Sequence, residues 1–239
     1  MYDRFFEEME IDSETGLKNC NGKNFRFATM PYIGNCYVDA HPRILFVGMD
    51  IGQDEMFLIN KENGTNHKLL QDFEMRQSAF CGSSLSEKNP HIAGTYAAAL
   101  YFLRDMNDVS SNAAKIILDS CKPFQAALKH LYGLPEDVLE YISLTNFYKF
   151  VGEGQKGRSN RIGRIFYKEC YELLQKEVDI FDPEIVVLQS VGFRYGNLAE
   201  MLAKEGRKIF IAPHPSYRGS RVLKEYLQAL TPSPFELIV

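Results

Sequence analysis

The chain has 239 residues, 45% hydrophobic and 24% charged, the mixture of a folded globular protein, which excludes a mainly disordered, collagen-like or low-complexity chain. Its 27 lysines and arginines against 31 aspartates and glutamates leave a net charge of −4, which excludes a histone-like, polyanion-coating protein but allows a local basic groove. The acidic start MYDRFFEEME lacks the basic residues and apolar run of a signal peptide, and no stretch approaches the roughly 18 apolar residues of a membrane span. The five cysteines are odd in number and show no C-x-x-C spacing, so they read as reduced thiols in a cytoplasmic protein.

Residues 1–40 are polar and aromatic with weak periodicity, which predicts an extension of short helical pieces and loop in front of a single domain. The first strong strand is Arg43–Met49, a continuous apolar run that fits a strand covered on both faces. It ends in the loop Gly48-Met-Asp50-Ile-Gly52, and a polar stretch over 60–90 follows. Residues 93–107 read as a buried, alanine-rich helix and Pro123–Tyr132 as another, with Gly133 placed to end it. The second strand is Tyr141–Asn146, followed by a glycine-rich basic loop over 152–161. Residues 163–180 then predict an amphipathic helix with Ile165, Leu173, Leu174 and Val178 on its inner side. Asp182-Pro183 ends that helix before the third strand, Glu184–Leu188. A short helix at Leu198–Leu202, a fourth strand at Lys208–Ala212 and a last helix over 219–230 complete the chain. Short apolar strands alternating with helices predict an α/β fold, a mostly parallel four-stranded sheet with helices on both faces.

In open α/β sheets ligands bind outside the carboxyl ends of the strands. The polar residues expected there are Asp50 after the first strand, Asn146 and Lys149 after the second, Gln189 and Ser190 after the third, and His214 and Ser216 after the fourth. A carboxylate, an amide and an imidazole on one rim suit hydrolysis of a nucleoside bond. Charge separates as the base leaves: the sugar becomes cationic and the base anionic. A carboxylate can orient water and stabilise the cation, and an imidazole can stabilise the departing anion. An asparagine side chain offers one acceptor and two donors, which matches the edge of a pyrimidine.

At these residues the chain resembles the uracil-DNA glycosylase superfamily over about residues 43–230. VGMDIGQDE resembles its first motif, a glycine-led loop; there Asp50 stands at the third position, where some branches carry the water-activating acid, and Ile51 stands where proline is usual. Gly48, Met49 and Gly52 of that loop are expected against the substrate. Asn89–Thr95 resembles the segment whose aromatic residue stacks on the flipped base, with His91 at the stacking position. Leu144-Thr-Asn146-Phe-Tyr-Lys149 resembles the segment in which an asparagine reads the base. His214-Pro-Ser216 resembles the second motif, whose histidine stabilises the base anion, and the loop from Arg218 to Arg221 lies where the family contacts DNA. One branch holds an iron–sulfur cluster through four cysteines. Here Cys170 fits the last ligand position, but Phe150 follows Lys149 where that branch has cysteine, and Cys20 and Cys36 are too widely spaced for the first pair. No cluster, metal or organic cofactor is therefore expected.

The resemblance implies a DNA glycosylase-like hydrolase that excises uracil or a related damaged base. Asp50 and His214 would be catalytic, Gly48, Met49, Gly52, His91, Asn146, Lys149 and Ser216 would meet substrate, and Arg158, Arg161, Arg218 and Arg221 would hold DNA phosphates. A base-excising enzyme needs such phosphate contacts to hold the backbone while the nucleotide is extruded. The alternative on the same fold is a non-catalytic nucleic-acid or nucleotide binder. A phosphate loop at Gly152–Ser159 is the rival motif; its spacing nearly matches, but Arg158 replaces the lysine and the third strand ends in Gln189-Ser190 without a magnesium-holding aspartate.

Overall fold

The computed structural model describes residues 1–27, 30–49, 138–152, 165–212 and 236–238 together with the single positions 95, 99, 102 and 214. In chain order the elements are α1 (Tyr2–Glu8), β1 (Leu17–Cys20), β2 (Lys23–Phe27), β3 (Tyr32–Ile33), β4 (Ile44–Gly48), β5 (Ile142–Asn146), β6 (Phe150–Gly152), α2 (Tyr167–Phe181), β7 (Ile185–Leu188), α3 (Leu198–Met201), β8 (Lys208–Ile211) and β9 (Glu236–Leu237). The fold is α/β, with parallel and antiparallel strand pairs. The chain divides into two compact units, one of Met1–Tyr32, Gly48–Ser78 and Thr145–Phe181, the other of Ile33–Val47, Ala79–Leu144 and Asp182–Val239.

The first unit holds a three-stranded sheet of order β1-β2-β6. Cys20 pairs with Lys23, so the hairpin between β1 and β2 turns through Asn21 and Gly22 alone, at φ +52° and +71°. Two successive left-handed residues make the turn whose twist matches that of a β-ribbon, and Asn-Gly is the pair that adopts it most readily. Here the structure departs from the helix-and-loop expectation for residues 1–40: after α1 the chain forms a hairpin. β2 then pairs antiparallel with β6, Phe27 opposite Phe150. The core of this unit is aromatic, with Phe5, Phe25, Phe27, Phe150 and Phe166 packed against Ile11, Cys170 and Leu173. Phe25 meets Phe166 edge-on at 5.0 Å, the arrangement that places a positive ring edge on a negative ring face.

α2 presents Cys170, Leu173, Leu174, Glu177 and Val178 to the interior. That is the i, i+3, i+4, i+7, i+8 stripe of an amphipathic helix, with one carboxylate on it. Ile165, expected on this inner side, is 57% exposed, because it precedes the helix in a short 3-10 turn and so does not share its periodicity.

The second unit carries a six-stranded sheet of order β3-β5-β4-β7-β8-β9. β4, β7 and β8 are parallel and in step: Val47 lies level with Leu188, and Leu188 with Ile211. Ile44, Leu45, Phe46 and Val47 are buried, as are all four residues of β7, so both faces of these strands are covered. The sheet has six strands where four were expected, because β3 and β9 form its edges; each is two residues long, too short to carry an apolar pattern, and β9 runs antiparallel to β8. Thr95, Ala99 and Phe102 are helical and buried, spaced as one face of the helix expected over 93–107, and Phe102 packs on Phe210 at 4.9 Å. The helices expected at 123–132 and 219–230 lie outside the described residues.

Candidate functional site

Within the second unit the strand order sets the rim where ligands bind. The chain leaves β4 for β5 on one side, then crosses to β7 and β8 on the other. The order changes direction between β4 and β7, the topological switch point at which open α/β sheets leave a crevice. Gln189 stands at that point. Its backbone N–H donates to Val47 O at 2.8 Å, and its buried side chain donates to Thr95 Oγ1 at 3.1 Å. Ser190 caps the following 3-10 turn, its Oγ accepting from Gly192 N at 3.1 Å. On the next strand Ala212 N donates to Leu188 O at 2.9 Å, and His214 follows two residues later, half-buried.

In the first unit the ends of β4 and β5 meet. A Cβ built on Gly48 would overlap Asn146 Oδ1 and come within 3.7 Å of Thr145 O. Glycine is therefore what lets the asparagine amide approach the backbone at position 48. The two chain segments then run together: Phe147 N donates to Gly48 O at 2.8 Å and Tyr148 N to Met49 O at 3.0 Å. Gly48, Met49 and Asn146 are half-buried, and Phe147 is buried, its ring 5.1 Å from that of Tyr167. Three residues expected to meet substrate are thus brought together.

Lys149 is placed differently from a substrate contact. It and Glu177 are 0% exposed. Its ammonium donates to Glu177 Oε1 at 2.7 Å, to Glu177 Oε2 at 2.9 Å, and to Thr145 Oγ1. An ammonium has three protons, so none remains for a ligand. Glu177 is equally engaged: Tyr2 Oη donates to Oε1, and Thr145 Oγ1 donates to Oε2 at 2.8 Å. With the two bonds from Lys149, the roughly four lone-pair sites of the carboxylate are filled. Burial, reinforced by the adjacent Glu177 carboxylate, pushes the Tyr2 phenol above its usual range, so it remains a donor. Glu177 was not among the expected site residues. The stripe spacing from Cys170 is the signal that marks it, since it puts a carboxylate where an apolar residue belongs.

Cys170 lies beside this network, buried, with its Sγ accepting from Lys149 N at 3.5 Å. Burial pushes its thiol up to about 11. Cys20 and Cys36 are half-buried free thiols, and among the described residues no three His, Cys, Asp or Glu side chains are grouped to hold a metal ion. Gly152, the proposed start of a phosphate loop, instead pairs with Phe25 in the antiparallel sheet. Such a loop leaves a parallel strand and enters a helix, so the first residue of the rival motif is not in that setting. Asp50, Gly52, His91, Arg158, Arg161, Ser216, Arg218 and Arg221 lie outside the described residues. No helix among the described residues is long and apolar enough to cross a membrane.

Comparison with protein-family models, with curated proteins and with solved structures yields no match.

Proposed function

We propose that the protein is a DNA glycosylase-like hydrolase that removes uracil or a related damaged base from DNA by breaking the N-glycosidic bond. The proposed scaffold is a three-layer, uracil-DNA glycosylase-like domain whose mostly parallel four-stranded sheet is β5-β4-β7-β8. The observation that carries this reading is the seat of Asn146 against the side-chain-free backbone of Gly48. An amide fixed at the end of a strand can discriminate between bases by its paired donor and acceptor, because a mismatched edge leaves buried polar groups unsatisfied.

In this reading Asp50 orients the attacking water and stabilises the cationic sugar, and Asn146 reads the extruded base. His214 stabilises the base anion as it departs. His91 and Ser216 meet the substrate, and Arg158, Arg161, Arg218 and Arg221 hold the phosphates. Lys149 supports the turn that presents Asn146 and does not itself touch the base.

The test is incubation with an end-labelled, uracil-containing oligonucleotide, single- and double-stranded, followed by alkali. Wild type should give strand cleavage that Asp50→Asn and His214→Ala both lose. Salt-sensitive DNA binding without cleavage would favour a binder on the same fold. Neither binding nor cleavage would reject the nucleic-acid reading altogether.

A further inference from the structure

We infer that the Glu177 carboxylate is a positioning group for the turn that carries Asn146, acting through Thr145 and Lys149. The geometry is a clamp. Thr145 and Lys149 bracket the three residues Asn146, Phe147 and Tyr148. Both bracket residues donate to the same buried carboxylate, and they are bonded to each other through Lys149 Nζ and Thr145 Oγ1. Between these two fixed points Phe147 N and Tyr148 N reach Gly48 O and Met49 O. The turn is thereby held at both ends by α2 and along its length by the segment after β4. Tyr2 supplies the remaining donor to Glu177, so α1 closes the same network.

Stability alone does not account for this arrangement. Two charges removed from water are costly, and an apolar pair of similar volume is commonly as stable or more so. What an ion pair with every lone pair and proton satisfied offers is one fixed geometry, because any displacement leaves a buried polar group unpaired. Here the geometry fixed is that of residues 146–148. The functional part of the inference rests on Asn146 being the residue that meets the base; the positioning itself does not.

The experiment is amide hydrogen exchange followed by NMR on the full chain. Thr145→Val removes the hydroxyl at nearly constant shape, and Lys149→Met/Glu177→Leu replaces the ion pair with apolar side chains. Phe27 N–H, which donates to Gly16 O in the same unit, is the internal reference. In both variants exchange at Phe147 and Tyr148 should accelerate at least about tenfold more than at Phe27, a local rather than a global opening. Unchanged protection at Phe147 and Tyr148, or an equal rise at Phe27, overturns the inference. Thr145→Val decides alone where the double variant does not fold. With base release as the second readout, Thr145→Val should lower kcat/KM in wild type and cost nothing further in an Asn146→Ala background. A second, additive loss there overturns the route through Asn146. Should wild type release no base at all, the proposed function falls while the exchange measurement still decides the clamp.

Discussion

The side-chain oxygen of Asn146 occupies the space that a Cβ on Gly48 would fill. The end of β5 and the end of β4 are therefore matched residue to residue, and the match is chemical as well as steric. One position gives up its side chain and the other places an amide in the gap. The next two residues of the β5 segment then donate to the two backbone carbonyls that begin the β4 loop, at 2.8 and 3.0 Å.

Gly48→Ala should force that amide aside. Asn146 is half-buried, so its side chain can turn away, and the stability cost should stay near about 1 kcal/mol, the low end for overpacking. Base release should fall far more steeply than stability. In an Asn146→Ala background the added methyl has room, and the stability cost of Gly48→Ala should vanish. Urea unfolding of the four proteins of this cycle checks it; an equal cost in both backgrounds contradicts the contact.

Breaking the buried ion pair should be far more expensive than replacing it. Lys149→Met leaves the Glu177 carboxylate uncompensated at 0% exposure, and about 3–5 kcal/mol should be lost. Lys149→Met/Glu177→Leu should recover part of that loss, because no charge is then left buried; the Tyr2 and Thr145 hydroxyls, which lose their acceptor, keep it below wild type. The urea midpoints of the single and double variants, with m held constant, decide between this and simple additivity.

The central strands were legible because they are apolar runs bounded by Gly, Asp and Pro, and β4, β5, β7 and β8 fall within a residue or two of the segments that this pattern predicts. β1 and β2 were not, since Leu-Lys-Asn-Cys and Lys-Asn-Phe-Arg-Phe are too polar to stand out. Asn21-Gly22 between them is nonetheless a strong hairpin signal. β6, β3 and β9 are two or three residues long and exist only through their partners. The same contrast holds at the site. Gly48 and Asn146 could be picked out because their types fit the ends of strands. Lys149 was misleading because a lysine in a loop usually faces water, and its burial depends on Glu177, 28 residues away.

Alkaline pH should expose the buried thiol. Burial holds Cys170 protonated up to about 11 in the folded chain, whereas an unfolded cysteine ionises near about 8.5. Its contribution to stability is thus complete below the unfolded value and is lost as pH rises through the folded one, up to about 3 kcal/mol in all. The Tyr2 phenol, also held protonated, adds to the loss only above about 10, its ordinary value. Unfolding free energy should therefore begin to fall near pH 9, and Cys170→Ala should flatten the curve between 9 and 10. At pH 8 iodoacetamide should modify the half-buried Cys20 and Cys36 well before Cys170, as read by peptide mass spectrometry.

The most direct measurement is the release of free base. Wild type and Asn146→Ala, both confirmed as folded, are incubated with a uracil-containing single strand, and liberated uracil is quantified by mass spectrometry. Wild type should release uracil, and Asn146→Ala should do so about 10²–10³-fold more slowly, the usual cost of removing one preorganised polar contact to the reacting group. Equal release by the two proteins would contradict the assignment of Asn146 as the base-reading residue, and no release by wild type would contradict base excision itself.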